Sequence, residues 1–292
     1  MLAENQRLLK RCRRSADINK AVFVVRSVIM DLNFQPADEF HTPANSKFLS
    51  RTNMTSLSNY RLLSFDVYGT LIDWETGILN ALQPLLEKND AASKFDRSYI
   101  LENYHTLERE QQAKTPSMIY SQLLTTIHPL LAQRLGFSLP SDEESAKFGN
   151  SVGMWPAFPD SVDALKRLSK VYKLLILSNV DRGSLEATLA GPLKGVKFDK
   201  ILTAQDVGSY KPDLRNFEVM LEVINKDYGI EKSQVLQTAQ SQFHDHHPAR
   251  QLGIKSVWIE RSGATMGNKS EEFYDWKFDK LVDMADAVEL QI

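Results

Sequence analysis

The sequence predicts an α/β protein: a parallel sheet flanked by helices, with an all-helical unit inserted behind its first strand. Three observations carry the prediction. From Tyr60 onward, short β-branched or aliphatic runs alternate with helical segments, the signature of a parallel sheet with crossover helices. Each run is almost continuously apolar, as a strand covered on both faces must be. A long stretch between the first run and the second shows helical spacing and no strand signal.

Taken in order, the first 59 residues read as an extension. "QRLLKRCRR" gathers five positive charges, and "AVFVVRSVIM" is apolar for only ten residues and broken by Arg26, too short to span a bilayer. A basic, partly amphipathic start is a feature of mitochondrial transit peptides. Glu4 and Asp17 oppose that reading, and a poorly ordered extension is expected instead. Met54, just ahead of the first strand, could start a shorter product.

The expected strands are "RLLSFD", "KLLILSN", "KILTA", "SQVLQTA" and "KSVWIE". Between the first two come "GILNALQPLLEK", "RSYILENYHTLEREQQAK", "SMIYSQLLTTIHPLLAQRLG" and "SDEESAKFGNSV". Ile119, Leu123, Ile127, Leu130 and Leu131 share one helical face, Gly136 stops that helix, and Ser141 with Glu144 fits a capping box. An insert of roughly 75–80 residues exceeds an ordinary loop. Residues 77–154 are therefore expected as a helical subdomain set into a core of 60–76 and 155–292, with 1–59 in front.

Composition narrows the function. The 292 residues are 42% apolar and 25% charged, with a net charge of −2 and a pI near 6.3. That is enough for a sizeable core, and it gives no basic footprint for nucleic acid or an anionic membrane. Cys12 is the only cysteine, so neither an internal disulfide nor a thiolate metal cluster is expected, and a reducing, cytoplasmic location fits. The expected partner is a small molecule, with a homodimer allowed.

Ligands of open α/β sheets bind outside the carboxyl ends of the strands. Asp66 closes the first strand, Ser178 and Asn179 the second, Lys211 follows the third by a loop, and Gln240 to Asp245 follow the fourth. Four distant segments thus deliver a carboxylate, a hydroxyl with an amide, an ammonium and a second carboxylate to one edge.

In that order, "FDVYGTL", "LSNVD", "SYKPD" and "FHDHHPARQLG" resemble the four motifs of the haloacid dehalogenase superfamily over about residues 60–262. "DVYGTL" is similar to its 2-haloacid dehalogenase branch. The resemblance implies a Rossmann-like, doubly wound core, a helical cap, and an aspartate that forms a covalent ester with the substrate. Phosphatases of the superfamily carry a second aspartate two places after the nucleophile, which protonates a poor alkoxide leaving group. Tyr68 stands there instead. Halide departs as a stable anion without a proton, so the tyrosine points to carbon–halogen cleavage; packing under the cap of a protein without activity is the alternative. Those phosphatases also open the fourth motif with an acid that binds Mg²⁺, and spacing from Asp245 puts the neutral Gln240 at that place. No metal and no cofactor are expected, and Lys211 supplies the positive charge near Asp66. His244, His246 and His247 are adjacent in sequence and therefore diverge, so metal ligation by them is not expected.

The resemblance also assigns roles. Asp66 attacks the halogen-bearing carbon of an (S)-2-haloacid, and water then opens the ester to an inverted hydroxy acid. Thr70 hydrogen-bonds the nucleophile, Lys211 orients it, and Asp245 positions Lys211 or the water. Tyr68 lies beside the substrate, Ser178 holds its carboxylate and Asn179 contacts the halide. A cap arginine, Arg97 or else Arg109, cradles the halide. Departures leave the substrate open: Phe217 stands six places beyond Lys211 where bacterial members have a tyrosine, and Gln240 and Gln242 replace a serine and an asparagine. A hydrolase of small phosphorylated metabolites and a catalytically silent ligand-binding protein are the alternatives.

Overall fold

A computed structural model describes residues 56–91, 94–266 and 271–292. The readings of the first 55 residues, Cys12 and Met54 included, lie outside the described residues. Six strands, β1 (Leu62–Phe65), β2 (Lys173–Ser178), β3 (Lys200–Thr203), β4 (Val235–Ala239), β5 (Lys255–Ile259) and β6 (Trp276–Phe278), form one sheet in the order β3-β2-β1-β4-β5-β6. All five pairings are parallel. The first five strands lie within the apolar runs of the sequence. The sixth was not expected: "WKF" is three residues at the sheet edge with an exposed lysine at its centre, too short to print a pattern.

Alternation of side chains across the sheet separates two apolar layers. Leu63, Phe65, Leu174 and Ile176 pack on one face, and Leu62, Leu175 and Leu177 pack on the other with Phe217, Met220 and Ile224. Phe65 is level with Ile176 on one side and Thr238 on the other. The residues that follow β1, β2 and β4 therefore emerge together. Because β2 and β4 flank β1, the winding reverses there and leaves a crevice at the carboxyl ends.

Four helices follow β1: α1 (Trp74–Lys88), α2 (Arg97–Lys114), α3 (Tyr120–Arg134) and α4 (Asp142–Gly149). Each start but that of α3 has a side-chain cap. Asp73 accepts from Thr76 N, which begins α1 three residues earlier than expected. Asp96 caps α2, and Ser141 with Glu144 completes a capping box at α4. On α3 the buried face is Tyr120, Leu123, Leu124, Ile127 and Leu131. Leu130, expected in the core, is 38% exposed instead, because Leu124 takes the inward place. The polypeptide then returns close to α1, where a Cβ on Gly77 would come within 2.3 Å of Trp155.

The core helices are α5 (Ser161–Leu168), α6 (Arg182–Ala190), α7 (Ala204–Val207), α8 (Arg215–Tyr228), α9 (His247–Gln251) and α10 (Leu281–Glu289). Ahead of β1, Leu57 is buried, and its carbonyl accepts from Tyr172 Oη at 3.0 Å. Packing therefore reaches into the segment read as extension. Among the described residues, no helix is long and apolar enough to cross a membrane.

Candidate active site

The loop after β1 is built around Asp66. Val67 O accepts from Leu71 N and Ile72 N at 2.7 and 2.9 Å, while Gly69 turns the chain at φ +103°, a conformation that favours glycine. The turn carries Thr70 back so that its Oγ1 donates to Asp66 Oδ2 at 2.7 Å. Thr70 Oγ1 in turn accepts from Gln240 N at 2.9 Å, tying the loop to the segment after β4. Behind it, Arg261 Nε donates to Thr70 O at 2.9 Å, and its guanidinium pairs with Asp160 at 2.6 Å. No sequence pattern announced Arg261, which lies far along the chain.

Lys211 is 2% exposed. Its ammonium donates to Asp66 Oδ1 (2.9 Å), Asp245 Oδ1 (2.8 Å) and Leu177 O (2.8 Å), using all three hydrogens. Burial alone would lower its pKa, but Asp245 and Asp66 outweigh burial and hold it above the ordinary value. Burial raises the Asp245 carboxyl; Lys211 opposes that rise and Asp66 reinforces it. One ammonium thus stands between two carboxyl groups. Asp245 sits on a π-helical turn, Gln242–His246, and its Oδ1 also accepts from Gln237 Nε2 at 2.9 Å. Asn179 holds the Lys211 backbone: Oδ1 accepts from Lys211 N at 2.7 Å and Nδ2 donates to Lys211 O at 3.0 Å. Those bonds place Lys211 and use one of the two Nδ2 hydrogens.

These groups open on a cavity of about 340 Å³ between the strand ends and the cap helices. Tyr68, Ser178 and Asn179 line it, and so does Arg109. Ser178 Oγ is buried and has no hydrogen-bond partner among the described residues. Tyr68 turns its hydroxyl to Thr188 Oγ1 at 2.7 Å, and burial pushes its pKa up. The phenol is thus turned to Thr188 and lies further from titrating near neutrality than an exposed tyrosine.

Arg97 does not reach this cavity. It begins α2 and pairs with Glu75 at 2.9 Å, with its side chain 43% exposed, because its position on the helix faces α1. Arg109, three turns on, faces the strand ends. His105 and Gln112, four residues before it and three after, share its face, and with Glu108, one turn from each of them, they also line the cavity. That polar stripe was legible in the sequence but was not singled out.

The three histidines diverge. His246 bonds Ser256 Oγ and Ala239 O at 2.9 and 3.0 Å, and His247 bonds Glu271 O at 2.8 Å. His244 bonds Ser241 Oγ at 3.1 Å and lines the cavity; burial lowers its pKa to about 4, so the ring is neutral at pH 7. Gln240 Nε2 donates to Met266 O at 2.9 Å. With the two carboxylates bridged by an ammonium and a neutral amide in third place, the donors do not fit a magnesium ion.

The family model of haloacid dehalogenase-like hydrolases matches residues 60–236. An (S)-2-haloacid dehalogenase of Pseudomonas sp. (strain YL) is 26% identical over 221 residues, covering 75% of this chain and 90% of its own. One of Pseudomonas putida is 25% identical over 206 residues, covering 70% and 86%. The solved L-2-haloacid dehalogenase of Xanthobacter autotrophicus superposes with a TM-score of 0.64 at 18% identity, over 79% of this chain and 98% of its own. That enzyme has also been solved with chloropropionic acid covalently bound.

Proposed function

The chain belongs to the haloacid dehalogenase-like hydrolases, and on that premise we propose that it hydrolyses the carbon–halogen bond of an (S)-2-haloacid through an ester on Asp66. The observation that carries this is the three-way Lys211 ammonium: it holds Asp66 at the wall of the cavity, with Tyr68 in place of an acid two residues on. Attack by an Asp66 oxygen forms a carbon–oxygen bond as the carbon–halogen bond breaks, and the halide leaves with the electron pair. Arg109 stabilises the halide, and the free hydroxyl of Ser178 takes the substrate carboxylate. Water then attacks the acyl carbon of the Asp66 ester. The 2-hydroxy acid leaves with inverted configuration and an oxygen from Asp66, and one proton passes to solvent. Thr70 and Lys211 polarise the ester carbonyl as charge develops on it.

A single turnover in ¹⁸O-water with enzyme in excess tests the assignment. The expected product carries ¹⁶O at its new hydroxyl, and ¹⁸O appears in the Asp66 carboxylate. Solvent oxygen in that first product would mean direct attack by water. Mg²⁺-dependent hydrolysis of phosphate monoesters, without halide release from any haloacid, would favour the phosphatase alternative.

A further inference from the structure

Displacement of a halide from a short acid employs Asp66, Thr70, Lys211, Asp245, Ser178 and Arg109. The cavity has more polar lining than that chemistry needs. Glu108 faces it from α2, and its Oε1 accepts from Tyr120 Oη at 2.5 Å, while Tyr120 Oη lies 2.9 Å from Tyr104 Oη. Both tyrosines are buried, so the chain of hydroxyls fixes the carboxyl in one orientation. A carboxyl group keeps acceptor capacity in either protonation state, and the tyrosines leave part of it to the cavity. His244 is fixed in turn by Ser241, at 3.1 Å, and lines the same space as Gln112.

Polar groups held at the wall of a pocket lose hydration when a ligand enters, and only hydrogen bonds from that ligand restore it. A three-carbon haloacid has no group left to offer once its carboxylate and halide are placed. At about 340 Å³ the cavity belongs to the range of roughly 300–1,000 Å³ that accepts larger organic ligands. A second carboxylate at the far end would bring its charge against the Glu108 carboxyl. Resting on the dehalogenase reading, we propose that the substrate is a longer 2-haloacid whose far end carries a neutral hydrogen-bond donor, a primary carboxamide or hydroxyl, received by Glu108 on the cavity wall.

The test separates recognition from chemistry. Calorimetry on the unmodified protein compares the product-like acids (R)-2-hydroxy-5-amino-5-oxopentanoate and (R)-2-hydroxyhexanoate, and turnover compares the corresponding (S)-2-chloro acids with (S)-2-chloropropionate. The carboxamide should bind about tenfold tighter than the alkyl acid, the equivalent of one net hydrogen bond. The preference should fall towards unity in Glu108→Leu and shrink in Glu108→Gln, whose folding is checked by thermal melts. Equal or tighter binding of the alkyl acid to the unmodified protein overturns the proposal, even if 2-chloropropionate is dehalogenated. A carboxamide preference with no halide released from any chloroacid supports the recognition and overturns the dehalogenase reading alone.

Discussion

Lys211→Met removes the charge on which the site is centred while keeping most of the stem volume. The ammonium is buried and holds two carboxylates at 2.8 and 2.9 Å. Deleting one partner of a buried ion pair costs about 3–5 kcal/mol, which for a unit of this size lowers Tm by roughly 6–20 °C. The loss depends on pH with a definite sign. Without the cation, Asp245 is raised further above its ordinary value of 3.8, so the folded variant binds a proton that the unfolded chain releases. Its stability is fullest below the unfolded pKa and is lost as pH rises through the folded one. In the unmodified protein the Asp245 carboxyl already stands at about 7, so both proteins hold that proton at lower pH, and the deficit relative to the unmodified protein widens as pH rises above about 7. Urea melts across that range measure it, and halide release by the surviving folded fraction should drop about 10²–10³-fold or more, the cost of removing one preorganised charged donor. A stability loss under about 1 kcal/mol, well below the buried-pair cost, or unchanged halide release, would refute this reasoning.

Thr70→Val leaves the Gln240 N–H and Asp66 Oδ2 without their shared hydroxyl; about 1–3 kcal/mol of stability should be lost with a fall in kcat, read by urea melts and steady-state kinetics. Arg109→Met should lower kcat/KM for a chloroacid by about 10–100-fold, whereas Arg97→Met, which loses only a half-exposed pair with Glu75, should change it by less than about threefold. For Glu108, burial raises the carboxyl from 4.5 to about 7 against the pull of its tyrosine hydrogen bonds. Its contribution to stability is present below pH 4.5 and lost as pH rises through about 7, so Glu108→Gln should flatten the stability profile in that window, as followed by thermal melts.

Much of the fold was written in local pattern. Strands buried on both faces must be apolar throughout, so β1 to β5 are visible as runs such as "LLSF" and "VLQTA". Capping is a contact between residues three apart, so Ser141 with Glu144 is visible too. Leu130 was misplaced because the apolar residues of α3 fit more than one face, and only contact with neighbouring helices selects among them. The edge strand β6 was missed because three residues with an exposed lysine carry no periodicity.

The sequence by itself determined which residue types reach the carboxyl edge: Asp66, Ser178, Lys211 and Asp245 follow runs whose ends a parallel sheet must align. It also put a phenol at Tyr68 and an amide at Gln240, the places where the resemblance to phosphatases of the superfamily leads one to expect acids. Tertiary structure alone decided which arginine faces the cavity, that Asn179 holds the Lys211 backbone, that Arg261 braces Thr70 from 191 residues away, and that Glu108 is fixed by two tyrosines. Each of these depends on the rotation of a helix or on a hydrogen bond between segments remote in the chain. Such contacts are set by the packing of whole elements, and no local pattern of residues encodes them.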